Sequence, residues 1–231
     1  MSHKEVSYLT LPTSELLEQF GAGRHIPGSG SASALSALLA CELMSTVCKL
    51  TCAKPNYASV HKDLSYILEQ IQTDYKPELI KLFNRDIQVF SEVSELRRKR
   101  DDETNPAEKG KLTRAENERM KEATEIPLQI CDVCLKLITH ALNIFDSGFK
   151  SARGDSGVAL SNLLSAISGS LFISFLNLKT GKHAKWVENL RTEAEKIALQ
   201  YNGIHKEAIK RIMDLYQQGL PDDYQTKLEL S

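Results

Sequence analysis

Two long stretches of this chain contain almost no charge, and they constrain its fold more than any other feature. Residues 31–53 include only Glu42 and Lys49 as charged side chains, and residues 156–178 include none. Small side chains recur every fourth residue in both stretches, which places them along one side of an α-helix. They are Ser33, Ala37, Cys41 and Ser45 in the first stretch, and Gly157, Ser161, Ser165 and Gly169 in the second. Such ridges let a neighbouring backbone approach closely, so we predict two buried helices.

The second uncharged stretch is also long enough to be compared with a membrane span. It contains six serines together with Asn162 and Asn177, which makes it polar for a lipid environment. Serines inside a protein can instead donate hydrogen bonds to carbonyls of their own helix. We therefore predict a central helix packed on all sides, and no membrane partner.

The rest of the chain is dominated by Leu, Ala, Glu and Lys in helical periodicity. We predict further helices at about 12–23, at 57–99 with a break at Pro77, at 115–145 with an interruption at Pro127, and at 182–218. Residues 97–114 and 146–155 are predicted to be loops, the first of them exposed and highly charged. The 231 residues suit one domain spanning 1–231, an all-α multi-helix bundle of orthogonal or up-down type.

Charge and cysteine content argue against several functions. Lys+Arg 29 against Asp+Glu 30 gives a net charge of -1, which predicts no nucleic-acid partner. An odd number of cysteines at helical spacing predicts reduced thiols, and the lone pair Cys131 and Cys134 lacks the further ligands of a zinc site. We therefore predict no metal. The N-terminus has no apolar secretory segment, which predicts a cytoplasmic protein.

Each uncharged stretch follows a turn suited to contact with an anion. The first turn consists of Pro27, Gly28, Ser29, Gly30 and Ser31, and the second includes Lys150, Arg153 and Asp155. The first backbone N–H groups of a helix are unpaired and its N-terminus is partly positive. Glycine lets a ligand come close to the backbone. We predict that Ser31 and Asp155 cap the two helices, and ordinary capped turns without a ligand are the alternative.

Three polar side chains are candidates for a further role. Asp86 lies near the apolar face of its helix, which is unusual for aspartate. It is either an acid–base group or a carboxylate paired with Arg85 or a lysine at the helix edge. Asp155 is either an acid–base group or only a helix cap. Asn177, near the end of an uncharged helix, requires a hydrogen-bonding partner.

Several short motifs, in this order, resemble the cyclodeaminase and cyclohydrolase family, which includes formimidoyltetrahydrofolate cyclodeaminase domains and stand-alone methenyltetrahydrofolate cyclohydrolases. The glycine turn is similar to the family's Pro-Gly-Gly-Gly-Ser. The other motifs are Asp86-Ile-Gln-Val-Phe90, Asn105-Pro106-Ala-Glu-Lys109, Ala123-Thr-Glu-Ile-Pro127-Leu128, Asp155-Ser-Gly157-Val-Ala159 and Leu176-Asn177-Leu178-Lys179. The resemblance covers about residues 9–212.

The resemblance implies an all-helical homodimer that binds a reduced folate and needs no cofactor beyond this tetrahydrofolate substrate. It implies an enzyme of one-carbon metabolism and histidine degradation, either a cyclodeaminase that releases ammonia or a cyclohydrolase. Asp155 or Asp86 would transfer protons, and the glycine turn, Lys150, Arg153 and Asn177 would bind substrate. A non-catalytic folate-binding or dimerisation module is the alternative. Ser29 replaces a family glycine, and we expect its Cβ to strain a backbone that needs positive φ.

Overall fold

The computed structural model describes residues 7–181 and 185–217, which form seven α-helices and no strand. The helices are α1 (Thr13–Gly21), α2 (Ser29–Cys52), α3 (His61–Gln70), α4 (Lys76–Asp102), α5 (Pro106–Ser147), α6 (Arg153–Thr180) and α7 (Val187–Gln217). A π-helical turn, Ile71–Tyr75, joins α3 to α4, and the 3₁₀ segment Lys150–Ala152 precedes α6. The predicted all-α fold class is confirmed.

Helices α2 and α6 pack side by side in opposite directions. Near the start of α2, the Oγ atom of Ser33 would lie 2.8 Å from a Cβ at Gly169, late in α6. At the other end of α2, Thr51 accepts a hydrogen bond of 2.9 Å from the N–H of Phe149, just before α6. The small side chains of α2 are buried as predicted, since Ser33 is the most exposed of the four at 8%. Close contact between the helices explains why this face excludes larger residues.

Helix α6 is not packed on all sides, so that part of the prediction is wrong. Ser161 and Ser165, which we placed on a buried ridge, are exposed. The buried face includes Leu163, Ile167 and Ser174 instead. Because α6 lacks charge on both faces, the sequence pattern does not distinguish the inward face from the outward one.

Three helical stretches in the described part of the chain are long and apolar enough to cross a membrane by length and composition. They are α2, α5 and the segment Lys150–Thr180, and 61%, 61% and 50% of their most apolar windows are buried inside the protein. The first two therefore use most of their apolar surface in the core. For the third, the absence of a membrane partner stays a prediction.

The predicted charged loop at residues 97–114 is wrong, because α4 and α5 form a long helical hairpin. Asn105 caps α5 by accepting hydrogen bonds from the N–H groups of Ala107 and Glu108, and Pro106 occupies the first turn. Arg97 and Arg100 of α4 pair with the buried Glu116 of α5. These pairs involve two of the charged side chains of residues 97–114, and most of the others are exposed, as predicted.

Of the two prolines we expected to interrupt helices, Pro77 follows the π-helical turn that separates α3 from α4, whereas Pro127 does not interrupt its helix. Pro77 lies in the first turn of α4, where its missing N–H costs little. Pro127 is buried inside the continuous helix α5. The predicted reduced thiols are confirmed, since all five cysteines are free and only Cys52 is not buried.

Candidate functional site

The first turn of α2 is closed by hydrogen bonds between Gly28 and Ser31. The N–H of Gly28 donates to the Oγ atom of Ser31 at 3.0 Å, and that hydroxyl donates to the carbonyl of Gly28 at 2.9 Å. Ser31 is therefore not the N-cap we predicted; Gly28 holds that position and the helix begins at Ser29. The buried Pro27 precedes Gly28, and the peptide bond between Ile26 and Pro27 is cis.

The carboxylate of Asp86, from the middle of α4, binds the N-terminus of α2. Its Oδ2 atom accepts a hydrogen bond of 2.7 Å from the N–H of Ser31. This N–H has no partner inside its own helix, and the positive end of the helix dipole favours a nearby carboxylate. A Cβ at Gly30 would lie 2.1 Å from Oδ1 of Asp86, so any larger residue at this position would force the carboxylate to move.

Burial raises the pKa of Asp86 from its ordinary value of 3.8 to about 6, although hydrogen bonds from Ser31 oppose the change. Asp86 forms no ion pair with any described residue, and Arg85 pairs with Glu122 instead. The alternative prediction, in which Asp86 pairs with Arg85 at the helix edge, is therefore wrong. A carboxyl group with this pKa can both accept and donate a proton near neutral pH.

Asn177 has the partner that its position requires. Its Nδ2 atom donates a hydrogen bond of 3.0 Å to the carbonyl of Ala123 in α5. That carbonyl lies four residues before Pro127, which has no N–H to offer it. The proline therefore leaves an acceptor free, and Asn177 of α6 satisfies it. This bond holds α5 and α6 together beside Asp86.

A cavity of about 390 Å³ opens in front of Asp86, a volume within the usual range for a small-molecule site. Among the predicted site residues, it brings together Pro27, Gly28, Ser29, Gly30, Asp86 and Asn177. Ser31 is fully buried beside it. Within the part of the chain described, the N–H groups of Ser29 and Gly30 donate no hydrogen bond, which leaves both available to a ligand.

The expectation that Ser29 strains the backbone is wrong. Ser29 is the first residue of α2, and no residue other than glycine has positive φ in the described ranges. A helical φ accommodates a Cβ without cost. The glycines at positions 28 and 30 are needed for space rather than for unusual dihedral angles. A Cβ at Gly28 would lie 2.9 Å from the carbonyl oxygen of His25.

The structure does not bring Lys150, Arg153 and Asp155 to this cavity. They lie around the start of α6, where the N–H of Lys150 donates to the hydroxyl of Tyr57 at 3.2 Å. This is the opposite end of α2, roughly 30 Å along a helix with a rise of 1.5 Å per residue. Asp155 is not the N-cap of α6 either, because Ala152 occupies that position. The predicted roles of these three residues in the site stay predictions.

The cavity also has lining residues that are not among the predicted site residues. They are Phe20, Arg24, His25, Ile26, Ala32, Ile87, Phe90, Ala123 and Ile173. His25 lies edge-on to Phe90, with ring centroids 6.5 Å apart. Arg24 is exposed and donates to the side chain of Gln19. Phe90, one helical turn after Asp86, could have been found by assigning both to one face of α4.

The described residues contain no group of three or more His, Cys, Asp or Glu side chains that could hold a metal ion. Burial raises the pKa of the Cys131 thiol to about 12, and its Sγ donates to the carbonyl of Ile167. A thiol in this state is a poor metal ligand, because the thiolate is the form that binds. Cys131 and Cys134 are both fully buried in the core.

Comparisons with known proteins agree with this architecture. A family model described as Formiminotransferase-cyclodeaminase matches residues 12–196. The methenyltetrahydrofolate cyclohydrolase of Methylorubrum extorquens is 26% identical over 192 residues, which are 82% of this chain and 90% of that protein. The crystal structure of formiminotetrahydrofolate cyclodeaminase from Thermotoga maritima superimposes with a TM-score of 0.76 and 19% identity, covering 90% of this chain and 98% of that one. This last similarity concerns the fold alone.

Proposed function

This chain belongs to the formiminotransferase-cyclodeaminase family, and we propose that it is an enzyme of folate one-carbon metabolism that acts on the carbon bound to N5 and N10 of tetrahydrofolate. The observation that carries the proposal is the position of Asp86. Its partly buried carboxyl group faces a cavity of suitable size and has a pKa of about 6. Carboxyl groups with a pKa near the working pH are efficient proton-transfer groups.

The reaction we propose first is hydrolysis of 5,10-methenyltetrahydrofolate, the activity in the name of the curated relative. Water adds to the methenyl carbon and loses a proton to the Asp86 carboxylate. The hydroxyl group on the resulting tetrahedral carbon then loses its proton as the C=O bond forms and the C–N5 bond breaks, N5 takes up a proton, and 10-formyltetrahydrofolate is formed. Overall one water is consumed and one proton is released. The reaction requires no cofactor beyond the folate substrate.

Cyclodeamination is the second candidate, and the description of the matching family supports it. In this reaction N10 attacks the formimidoyl carbon on N5, and ammonia leaves after it is protonated. The tetrahedral carbon formed here bears an amino group in place of the hydroxyl group, and a carboxyl group can accept the proton that N10 loses and donate a proton to the leaving nitrogen. Asp86 has the same role in both reactions.

The rest of the cavity suits a planar, polar ring system. The free N–H groups of Ser29 and Gly30 are donors at the positive end of a helix, and Phe90 and Ile173 supply apolar surface. Asn177 uses its Nδ2 to bind Ala123, and its Oδ1 accepts no hydrogen bond from any described residue. We expect that Oδ1 to accept a hydrogen bond from the substrate.

We also propose that the protein is a homodimer, as the resemblance implies. The outward face of α6 exposes apolar side chains, with Val158 at 53% and Phe172 at 68%, and no charged side chain lies between residues 156 and 178. A second copy can present the same uncharged face without like-charge repulsion. Phe172→Glu should shift the mass measured by light scattering from dimer to monomer. A monomeric wild-type protein would contradict the proposed homodimer. Binding of the wild-type protein to lipid vesicles would also contradict it, because the apolar face would then contact a membrane.

Absorbance spectroscopy can test the enzymatic proposal. We expect the purified protein to accelerate loss of the methenyl absorbance from 5,10-methenyltetrahydrofolate, or its appearance from the formimidoyl derivative. kcat/KM should rise with pH around an apparent pKa of about 6, since the carboxylate is the active base. Asp86→Asn should reduce kcat roughly a hundredfold to ten-thousandfold.

Two further variants give the comparison its controls. Asp63→Asn changes an exposed aspartate of α3 and should leave kcat at the wild-type value. Asp155→Asn distinguishes between the two carboxylates that we considered. Wild-type kcat in Asp86→Asn together with a large loss in Asp155→Asn would overturn the assignment. Tight folate binding without turnover of either substrate would favour a non-catalytic module instead.

A further inference from the structure

A second and larger cavity lies next to the one in front of Asp86. It has a volume of about 840 Å³, and Ile26 and Ile87 line both cavities. Helix α4 supplies lining residues to both cavities, and some of these residues are adjacent in the sequence. Asp86 lines the first cavity and Arg85 lines the second. A long ligand can therefore extend from one into the other.

Part of the lining of the second cavity is apolar and aromatic. Tyr8 and Leu11 line the second cavity together with Ile26 and Ile87. Tyr8, Leu11 and Ile87 are partly buried against the core, so their exposed sides form a fixed surface. Such a surface suits a flat benzenoid ring rather than another polar group.

Two cations, Lys81 and Arg85, line the same cavity one helical turn apart on α4. Arg85 is held in place, since its Nε donates to Glu122 at 2.6 Å and its Nη1 donates to Gln88 at 2.8 Å. Among the described residues Lys81 pairs with Glu78 alone, at 3.2 Å, and its side chain is 72% exposed. An exposed pair of this kind is weak in water, so Lys81 can exchange Glu78 for a ligand carboxylate at little cost.

We propose that this second cavity is the subsite for the tail of the folate, with the p-aminobenzoyl ring against Tyr8 and Leu11 and the glutamate carboxylates on Lys81 and Arg85. The inference rests on the proposed function and assigns the substrate-binding role of cations to α4 rather than to Lys150 and Arg153. It is supported by the way the two cavities divide the side chains. Asp86 lines the first cavity, the apolar Ile26 and Ile87 line both, and Lys81 and Arg85 line the second.

The subsite is tested by removing the glutamate from the substrate and the cation from the protein. Wild type should have a KM about tenfold lower for 5,10-methenyltetrahydrofolate than for the matching pteroate, which lacks glutamate. Lys81→Met should remove this difference by raising the KM for the folate alone, with kcat unchanged. Arg85→Lys keeps the charge, loses the planar fork and should raise the same KM by a smaller factor.

Lys62→Met is the matched control, because it removes an exposed lysine of α3. It should leave both KM values at the wild-type level. Equal KM values for the folate and the pteroate in wild type, or an unchanged KM in Lys81→Met, would overturn the subsite while leaving the proposed function intact.

A binding measurement separates the subsite from catalysis. p-Aminobenzoylglutamate carries the ring and both carboxylates but no reacting carbon. Ligand-observed NMR should detect its binding to wild type and to Lys62→Met, and a weaker signal with Lys81→Met or with p-aminobenzoate. If none of these proteins turned over the substrate but p-aminobenzoylglutamate still bound in this pattern, only the proposed reaction would be contradicted. No binding of p-aminobenzoylglutamate to wild type would contradict the subsite whatever the turnover.

Discussion

The carboxylate of Asp86 occupies the space that a side chain at Gly30 would need. A Cβ at position 30 would lie 2.1 Å from Oδ1 and 2.6 Å from Cγ of Asp86. The missing side chain lets the carboxylate reach the N–H of Ser31 at 2.7 Å. Glycine is therefore required here by close approach from another helix, and the two residues act as a unit.

The first prediction follows from this contact. Gly30→Ala should displace the Asp86 carboxylate, because its end is the movable partner in the clash, and kcat should fall about a hundredfold or more as the proton-transfer group leaves its position. The variant should still unfold cooperatively on heating. Gly110→Ala is the matched control, since a Cβ there meets nothing within 4 Å. Full turnover in Gly30→Ala would show that the position of Asp86 does not matter.

A second prediction concerns stability and pH. The pKa of Asp86 is about 6 in the folded protein and 3.8 ordinarily, so between these pH values the native state holds a proton that the unfolded chain has released. The contribution of Asp86 to the free energy of unfolding therefore falls as pH rises from about 4 to about 6, by at most about 3 kcal/mol. The Asp86→Asn protein should not show this decrease in the free energy of unfolding, because asparagine does not titrate.

Urea unfolding of both proteins from pH 4 to pH 8 measures the effect. We expect similar stability at pH 4 and a more stable Asp86→Asn protein above pH 6. Other carboxyl groups contribute equally to both proteins, so the difference isolates Asp86. A difference that does not vary with pH would contradict the raised pKa.

A third prediction concerns Ser29, which replaces a family glycine. Because Ser29 has a helical backbone, Ser29→Gly should leave kcat unchanged and lower the free energy of unfolding by a few tenths of a kcal/mol. Chemical denaturation and turnover of the same preparation measure both quantities. A large gain in turnover would show instead that the serine side chain obstructs the substrate.

Sequence patterns predicted the local features of the site but not its assembly. The glycine turn, the small face of α2 and the unusual position of Asp86 are all visible in periodicity and composition. The direction in which α6 packs against α2 is not, because a ridge of small residues permits either direction. Lys150, Arg153 and Asp155 were therefore grouped with the glycine turn, although they lie at the other end of α2. Contacts between residues distant in the sequence determine which of the predicted residues lie together in the site.

The α4–α5 hairpin leads to a fourth prediction. Glu116 is 7% exposed and pairs with Arg97 and Arg100, which the sequence predicted to lie in an exposed loop. Glu116→Ala should lower the free energy of unfolding by about 2 kcal/mol, less than for a fully buried pair because both arginines are partly exposed. Glu118→Ala, at an exposed position on the same helix, is the control and should change stability by less than about 0.5 kcal/mol. Equal effects of the two variants would mean that the pairs do not hold the hairpin.

The last prediction couples Asn177 to Pro127. Asn177→Ala removes the donor to the Ala123 carbonyl, which then lies without a partner because Pro127 has no N–H. Stability should fall by about 1–3 kcal/mol, the cost of leaving a buried acceptor unsatisfied. In a Pro127→Ala background the new N–H can bond to Ala123 itself, so the same Asn177→Ala change should cost less.

A double-mutant cycle on unfolding free energies measures this coupling, which we expect to be about 1 kcal/mol. Pro127→Ala also causes a loss of packing of its own. This loss is the same in the single variant and in the double variant, so it cancels in the cycle. Additive effects would mean that Asn177 does not compensate for the proline. A positive coupling would explain why these two residues occur together, because the proline frees the acceptor that fixes Asn177 beside the Asp86 cavity.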